Sequence, residues 1–438
     1  MIIRPAKRIR GRLEMPGDKS ISHRAAMIAA LARSTSRITN FSTSEDCAAT
    51  LNCLSALGVP IDRDGKDILV TGVGLRGFRA PAAPLDCANS GTTMRLLAGL
   101  LTFQNFTSTL TGDSSLRSRP MQRIIDPLRM MGAEIESKDG RAPLVIHGRN
   151  FVQPVEYELP VASAQAKSCI LFAGLGGSGR TTVIEHVPTR DHTERMLRWF
   201  GLTVESGDAR RDGEVFVAIS PVAGLSARDV QIPGDVSSAA YFAAAAALLE
   251  DSELEIANVG LNPSRTLFLS YLKLLGFNLN IDLSLEVSNE PAGTVRVNGL
   301  PATKRKNSIQ SQTIEGPMVA GLIDELPLLA VVGSQMDGGL EIRDARELRV
   351  KESDRIAATA AGLTAMGARV EEFEDGLRVS GPTALRGASI ESRGDHRIAM
   401  AFTIAGLIAR GETEIKDAGC VAVSFPDFFE LIDAVTVT

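Results

Sequence analysis

Histidine is scarce, with five among 438 residues. None sits in an H-E-x-x-H run or at a paired spacing, which removes the commonest signature of a zinc site. His147, in the strand-like Leu144-Val-Ile-His147, and His186 are expected to be structural or solvent-facing. The five cysteines (Cys47, Cys53, Cys87, Cys169 and Cys420) are odd in number and lack ligand spacing. They read as reduced core thiols in a reducing compartment. Positive charge is not in excess: the net charge of -5 argues against a nucleic-acid partner. Hydrophobic runs of membrane-spanning length are also missing. The nearest, Ala239 to Leu249, falls short of the roughly 20 residues a span needs, and Glu250 and Asp251 follow at once. No signal or transit segment is visible. A cytoplasmic protein with no membrane, no metal and no cofactor is expected.

Apolar residues are plentiful. At 44% they support large cores, and the length suits two or three domains. One design recurs: a polar loop runs into a helix of small apolar residues. It occurs at Pro16-Gly-Asp-Lys-Ser-Ile-Ser-His-Arg24, Asn89-Ser-Gly-Thr-Thr-Met-Arg95, Ser163-Ala-Gln-Ala-Lys167, Gly234-Asp-Val-Ser-Ser238, Asp324-Glu-Leu-Pro327 and Arg393-Gly-Asp-His-Arg397. Intervals of roughly 70–90 residues are too long for a solenoid and suit a whole supersecondary unit. A second signal runs in step with the first. Leu54-Ser-Ala-Leu-Gly-Val59, Leu128-Arg-Met-Met-Gly-Ala133, Leu197-Arg-Trp-Phe-Gly-Leu202, Leu272-Lys-Leu-Leu-Gly-Phe277 and Leu363-Thr-Ala-Met-Gly-Ala368 each end an amphipathic helix on a glycine. Alternating, strand-like residues follow. Phe428 to Val435 reads as an incomplete sixth copy.

Six units are therefore predicted, each with a buried helix, an outer helix and several strands. Breaks at Pro16-Gly17 and Ile232-Pro-Gly-Asp235 divide them three and three. The fold class is α/β: two similar domains, one of residues 16–230 inserted into another made of 1–15 plus 231–438, with hinges near 14–17 and 230–234. Residues 1–15 are expected to form an edge strand. Gly72-Val-Gly-Leu-Arg-Gly77 imitates a dinucleotide loop, but Pro81 and Pro84 forbid the helix it needs. Gly174-Leu-Gly-Gly-Ser-Gly-Arg-Thr181 imitates a phosphate loop with helix and strand in the wrong order. Both are read as turns.

The helix starts carry the chemistry. Free N–H groups and a partial positive charge at a first turn attract anions. Lys19, Arg24, Arg95, Lys167 and Arg397 stand at such starts, and Arg117, Arg119, Arg190, Lys351 and Arg355 lie in nearby loops. One such residue alone is usually a solvated charge, and one Asp at a helix start is usually a cap. Six copies with different polar sets at one structural position point instead to substrates bearing several negative charges. Asp324 and Glu352 stand out as acid and base candidates, although Glu352 is also spaced for an i,i+3 ion pair with Arg355.

At Gly17-Asp-Lys-Ser-Ile-Ser-His-Arg24, Asn89-Ser-Gly-Thr-Thr-Met-Arg95, Leu116-Arg-Ser-Arg-Pro120, Ser163-Ala-Gln165, Arg349-Val-Lys-Glu-Ser-Asp-Arg355, Asp395-His-Arg397 and Ser424-Phe-Pro-Asp427, the chain resembles the EPSP synthases (3-phosphoshikimate 1-carboxyvinyltransferases). The resemblance implies two inside-out α/β domains of three repeats with buried parallel helices, joined by a double hinge that closes on substrate. It implies transfer of an enolpyruvyl group from phosphoenolpyruvate to the 5-hydroxyl of shikimate 3-phosphate, by a monomer. Carried over by motif, Lys19, Ser20, Arg24, Ser163, Gln165, Arg190, Asp324 and Lys351 would hold shikimate 3-phosphate. Lys19, Gly91, Arg119, Gln165, Arg355 and Arg397 would hold phosphoenolpyruvate. Asp324 would take the 5-hydroxyl proton, and Glu352 or Lys19 would serve the methylene carbon.

Val423 stands where many members carry Lys, and Ser163-Ala-Gln165 replaces Ser-Ser-Gln. For glyphosate as an inhibitor, Gly91 resembles sensitive members, whereas Thr189-Arg-Asp-His192 resembles the tolerant branch. Two other readings are weighed. The sister UDP-N-acetylglucosamine enolpyruvyl transferases usually carry a reactive cysteine, which Gly112 to Arg119 lacks. A non-catalytic anion-binding repeat protein has no need of Asp324 and Glu352 together.

Overall fold

The computed structural model describes residues 1–211, 213–301 and 312–438. The chain opens with β1 (Ile2–Ile3) and β2 (Arg8–Glu14). The first repeat is α1 (Lys19–Ala30), β3 (Thr35–Thr39), α2 (Glu45–Ala56), β4 (Ile61–Asp64) and β5 (Asp67–Thr71). The second is β6 (Leu85–Asp86), α3 (Gly91–Leu101), β7 (Thr107–Thr111), α4 (Ser114–Ser118), α5 (Gln122–Met130), β8 (Glu134–Lys138) and β9 (Arg141–His147). The third is β10 (Glu156–Glu158), α6 (Ala164–Leu175), β11 (Thr181–Glu185), α7 (His192–Trp199), β12 (Val204–Asp208) and β13 (Val215–Ile219), after which comes β14 (Val230–Gln231).

The fourth repeat is α8 (Val236–Leu248), β15 (Glu253–Gly260), α9 (Leu267–Leu274), β16 (Asn278–Val287) and β17 (Glu290–Asn298). The fifth is β18 (Thr313–Ile314), α10 (Pro317–Leu322), α11 (Leu326–Gly333), β19 (Leu340–Ile342), α12 (Arg355–Ala365), β20 (Val370–Phe373) and β21 (Gly376–Val379). The sixth is β22 (Ser389–Glu391), α13 (His396–Ile408), β23 (Thr413–Lys416), α14 (Phe428–Val435) and β24 (Thr436–Val437).

Four sheets share one plan, a parallel pair extended by two antiparallel strands: β14-β3-β5-β4, β6-β7-β9-β8, β10-β11-β13-β12 and β18-β19-β21-β20. The fifth, β16-β17-β15-β2-β24, repeats the plan with one strand added, and β1-β23-β22 is the shortened sixth. β1, β2 and β24 lie apart in sequence from most of their sheet partners. The edge strand expected at residues 1–15 is met by β1, at the edge of β1-β23-β22, and is corrected for β2. β2 runs parallel to β15 and also pairs with β24 through Arg8 and Ile9, so it lies inside its sheet. Its second partner lies at the far end of the chain, beyond the reach of local pattern.

The chain forms two compact units. One is 17–233 with residues 286–290; the other is 1–16, 234–285 and 291–438. β2 and β14 are exchanged: each is the strand that precedes a buried helix in sequence, yet pairs in the unit that does not hold that helix.

Within each unit α1, α3, α6 or α8, α11, α13 are buried on nearly every face, as small apolar residues on all sides allow. Close approach of α3 to α6 depends on Gly99, where a Cβ would lie 2.3 Å from the Cys169 carbonyl oxygen. The outer helices end as the repeated glycines predict. Gly58, Gly132, Gly201, Gly276 and Gly367 have φ between +82° and +92°, the left-handed cap that only glycine adopts without cost. The two imitation loops are turns, with β11 following α6. No helix among the described residues is long and apolar enough to cross a membrane.

Candidate active site

In the 17–233 unit, hydroxyl and carboxylate caps set the helix starts. Asp18 accepts from the Ile21 amide, Ser90 from Thr93 and Ser163 from Ala166. Lys19 is held by Asp46, Nζ to Oδ2 2.8 Å. Gln165 bridges two elements: its Oε1 accepts from Arg95 Nη1 at 2.5 Å and its Nε2 donates to Thr92 Oγ1 at 2.8 Å. Arg119 donates to Asn89 Oδ1 at 2.6 Å. A Cβ on Gly91 would stand 3.1 Å from Arg95 Nη1 and 3.6 Å from Arg119 Nη1. Two guanidiniums therefore close on the one position without a side chain. Arg117 and Arg119 were expected in a loop; Arg117 lies instead in α4, capped by Asp113, while Arg119 follows the helix in extended backbone.

Other cations are committed elsewhere. Arg24 is buried, and its guanidinium donates to Thr193 Oγ1 (2.7 Å), Ser168 Oγ (2.8 Å) and the Ser20 carbonyl (2.8 Å). These bonds tie α1 to α6 and α7. Lys167 was counted with the anion-binding cations, and that is corrected. It is 1% exposed, with Nζ 2.8 Å from Glu185 and 2.7 Å from Glu194. Burial pulls its pKa down, but Glu194 and Glu185 outweigh that and raise it. Glu185 in turn accepts from the Thr189 amide and hydroxyl, so this pair anchors the loop that carries Arg190.

In the other unit the charges converge on Arg355, which is 2% exposed. Asp395 takes Nε at 2.8 Å and Nη2 at 3.2 Å, Glu352 takes Nη2 at 2.6 Å, and Asp324 stands 3.7 Å from Nη1. The anticipated i,i+3 pair of Glu352 with Arg355 is formed. Asp395 also caps α13 by accepting from the Arg397 amide. Arg397 lies 3.6 Å from Glu325, and Ser237 links that carboxylate to Arg265. Lys351 has its pKa lowered, first by desolvation and then by Arg355, against the opposing pull of Asp324, Glu347 and Glu352.

The model of the EPSP synthase (3-phosphoshikimate 1-carboxyvinyltransferase) family matches residues 3–432. The chain belongs to the EPSP synthase family. A 3-phosphoshikimate 1-carboxyvinyltransferase of Salinibacter ruber is 47% identical over 438 residues, covering 99% of this chain and 98% of its own. The one from Koribacter versatilis is 49% identical over 437 residues, with the same coverage. The solved EPSP synthase of Acinetobacter baumannii superposes with a TM-score of 0.84 at 39% identity, covering 100% of this chain and 98% of that one. An enolpyruvyl transferase of Streptomyces tendae, at 19% identity and a TM-score of 0.76, shares the fold.

Within this chain, sequence reasoning gave no role to Asp46, Asp395, Glu325, Ser237 or Arg265. Asp46 and Asp395 fall in the first turn or cap of a helix, where an acid reads as a cap. His186 lies at the surface, as expected, between Glu158 (2.6 Å) and Glu214 (2.7 Å). Arg211 also reaches both carboxylates, so the cluster is balanced in charge when the ring is protonated. His23 differs. Fully buried, it is held neutral by desolvation and by Lys19 and Arg24, well below 6.5. The unfolded chain takes up a proton there as pH falls through 6.5 and the native chain does not, so stability falls over that window. In an NMR titration the His23 ring should keep its neutral shift at pH 6; a midpoint near 6.5 would contradict the burial argument.

Proposed function

We propose that the chain transfers the enolpyruvyl group of phosphoenolpyruvate to the 5-hydroxyl of shikimate 3-phosphate, giving 5-enolpyruvylshikimate 3-phosphate and phosphate. The observation that carries this reading is the convergence of Asp324 and Glu352 on one buried guanidinium. It places two carboxyl groups beside a fixed positive charge. The alkene CH2 gains a proton as the 5-oxygen bonds to C2, and the 5-hydroxyl proton passes to Asp324. The tetrahedral adduct then breaks its C2–O bond to phosphate while the new methyl group returns a proton, restoring the alkene. Glu352 serves the proton at that carbon, with Lys19 as the other candidate donor. Arg355 and Arg397 hold negative charge that a mobile solvent would stabilise less well.

By motif, Lys19, Ser20, Arg24, Ser163, Gln165, Arg190, Asp324 and Lys351 are the residues for shikimate 3-phosphate, and Lys19, Gly91, Arg119, Gln165, Arg355 and Arg397 those for phosphoenolpyruvate. The inside-out arrangement rests on the three all-round buried helices of each unit.

Phosphate release with shikimate 3-phosphate as acceptor, beside a parallel reaction with UDP-N-acetylglucosamine, tests the assignment. Release only with the sugar nucleotide would transfer the chain to the sister activity. Gly91→Ala gives a second check. Its methyl group displaces Arg95 by tenths of an ångström and comes into contact with Arg119. The KM for phosphoenolpyruvate should rise about tenfold, roughly the value of one good charged hydrogen bond, and glyphosate should inhibit less. Unchanged values for both would show that position 91 does not face that substrate.

A further inference from the structure

Behind the first turns of α1 and α3 runs a chain of buried hydroxyls that the reaction does not use. His23 Nδ1 lies 2.6 Å from Thr50 Oγ1, which lies 2.6 Å from Thr93 Oγ1. The Thr93 hydroxyl donates to Ser90 Oγ at 2.8 Å, or more weakly to the Asp46 carbonyl at 3.4 Å. All four side chains are 0% exposed, and they join α1, α2 and α3. The Ser90 oxygen also accepts the Thr93 amide, as the cap of α3, directly before Gly91.

A hydroxyl has one proton, which gives the chain a direction. Thr93 spends its proton on Ser90 or Asp46, so it can only accept from Thr50. Thr50 has then spent its own, so it can only accept from His23. The imidazole must carry its proton on Nδ1. Its Nε2 is buried with no hydrogen-bond partner, which suits a bare lone pair better than an orphaned N–H. A neutral ring also agrees with the lowered pKa.

We infer that His23, as the Nδ1–H tautomer, is a positioning residue for the phosphoenolpyruvate pocket, acting through Thr50 and Thr93 on the Ser90 cap that sets Gly91. This rests on the assignment of Gly91 to that pocket. A chain with a fixed direction resists rotation of each hydroxyl, because turning one leaves two donors or two acceptors facing each other.

The test is Thr93→Val, which keeps shape and removes the hydroxyl, with Thr93→Ser as the conservative variant. For Thr93→Val the KM for phosphoenolpyruvate should rise about tenfold, while kcat and the KM for shikimate 3-phosphate stay within about twofold. Thr93→Ser should restore the KM. Equal rises for both substrates, or no rescue by Ser, would reduce the chain to ordinary packing and overturn the inference. Should Thr93→Val fail to fold, Thr50→Val carries the same prediction. Nitrogen-15 NMR of the imidazoles in the unaltered protein reads the tautomer without any turnover. An Nε2–H ring at His23 would overturn the inference while leaving the assigned reaction intact. A chain inactive with both acceptors would overturn the reaction, and the inference with it.

Discussion

Glu352→Gln should lower kcat by about 10²- to 10⁴-fold, the usual value of a positioned acid or base, with both KM values nearly unchanged. The amide keeps the size of the side chain and can still accept from Arg355 through its oxygen. What it loses is the ability to give and recover a proton. Asp324→Ala should fall by a similar factor. Asp324 stands 3.7 Å from Arg355, against 2.6 Å for Glu352. The two variants differ in a second measurement. In deuterium oxide with the reaction partners bound, exchange of deuterium into the methylene group of phosphoenolpyruvate should disappear with Glu352→Gln. Near-normal turnover in both variants would remove the acid–base assignment, and normal exchange in Glu352→Gln would move the proton transfer to Lys19.

Lys167→Met should cost about 3–5 kcal/mol, the range for breaking a buried ion pair. Glu185 and Glu194 then face each other with 2% side-chain exposure apiece and no cation between them. The melting temperature should drop by on the order of 10 °C for a unit of this size, measured by calorimetry. Adding Glu185→Gln and Glu194→Gln should recover much of the loss, since the neutral set leaves no unpaired charge. Linkage gives an independent check. The Lys167 pKa is raised in the folded chain, so its contribution is fully present below 10.5 and fades as pH rises through the folded value. Because Glu185 also holds Thr189, the KM for shikimate 3-phosphate should rise in the single variant through a loosened Arg190 loop. A melting temperature within 2 °C of the unaltered protein would show that water reaches the pair.

Lys167 also marks where sequence reasoning stops. Its position at a helix start was legible, and so were the six units and the five glycines that close the outer helices, because each depends on neighbours within a few residues. Its partners lie on β11 and α7, and nothing local distinguishes a lysine that binds substrate from one sealed between carboxylates. Arg24 shows the same limit: its place on α1 was readable, but Thr193 and Ser168, which occupy it, come from another repeat. Arg355 shows it again in the other unit. Glu352 was visible three residues away, whereas Asp395, forty residues on, was visible only as a cap. The error at β2 has one cause with these, since β24 is as remote from it as the chain permits.

The exchange of β2 and β14 has a consequence for synthesis. The 17–233 unit emerges from the ribosome with β14 already attached, needing only residues 286–290 later. β2 must wait. Its partner β15 is made roughly 240 residues afterwards, on the order of ten to fifty seconds at about 5–20 residues per second. Through that interval a strand carrying Ile9 and Leu13 has both edges open, the state most prone to pairing with a neighbouring chain. Arg8, Arg10 and Arg12 alternate with those apolar residues along the same seven positions. Like charges at that spacing repel a second copy of the strand, and Arg10 and Arg12 meet Glu253 and Glu255 only once β15 has arrived. The arginines of β2 thus carry like charge along the segment until Glu253 and Glu255 have been made.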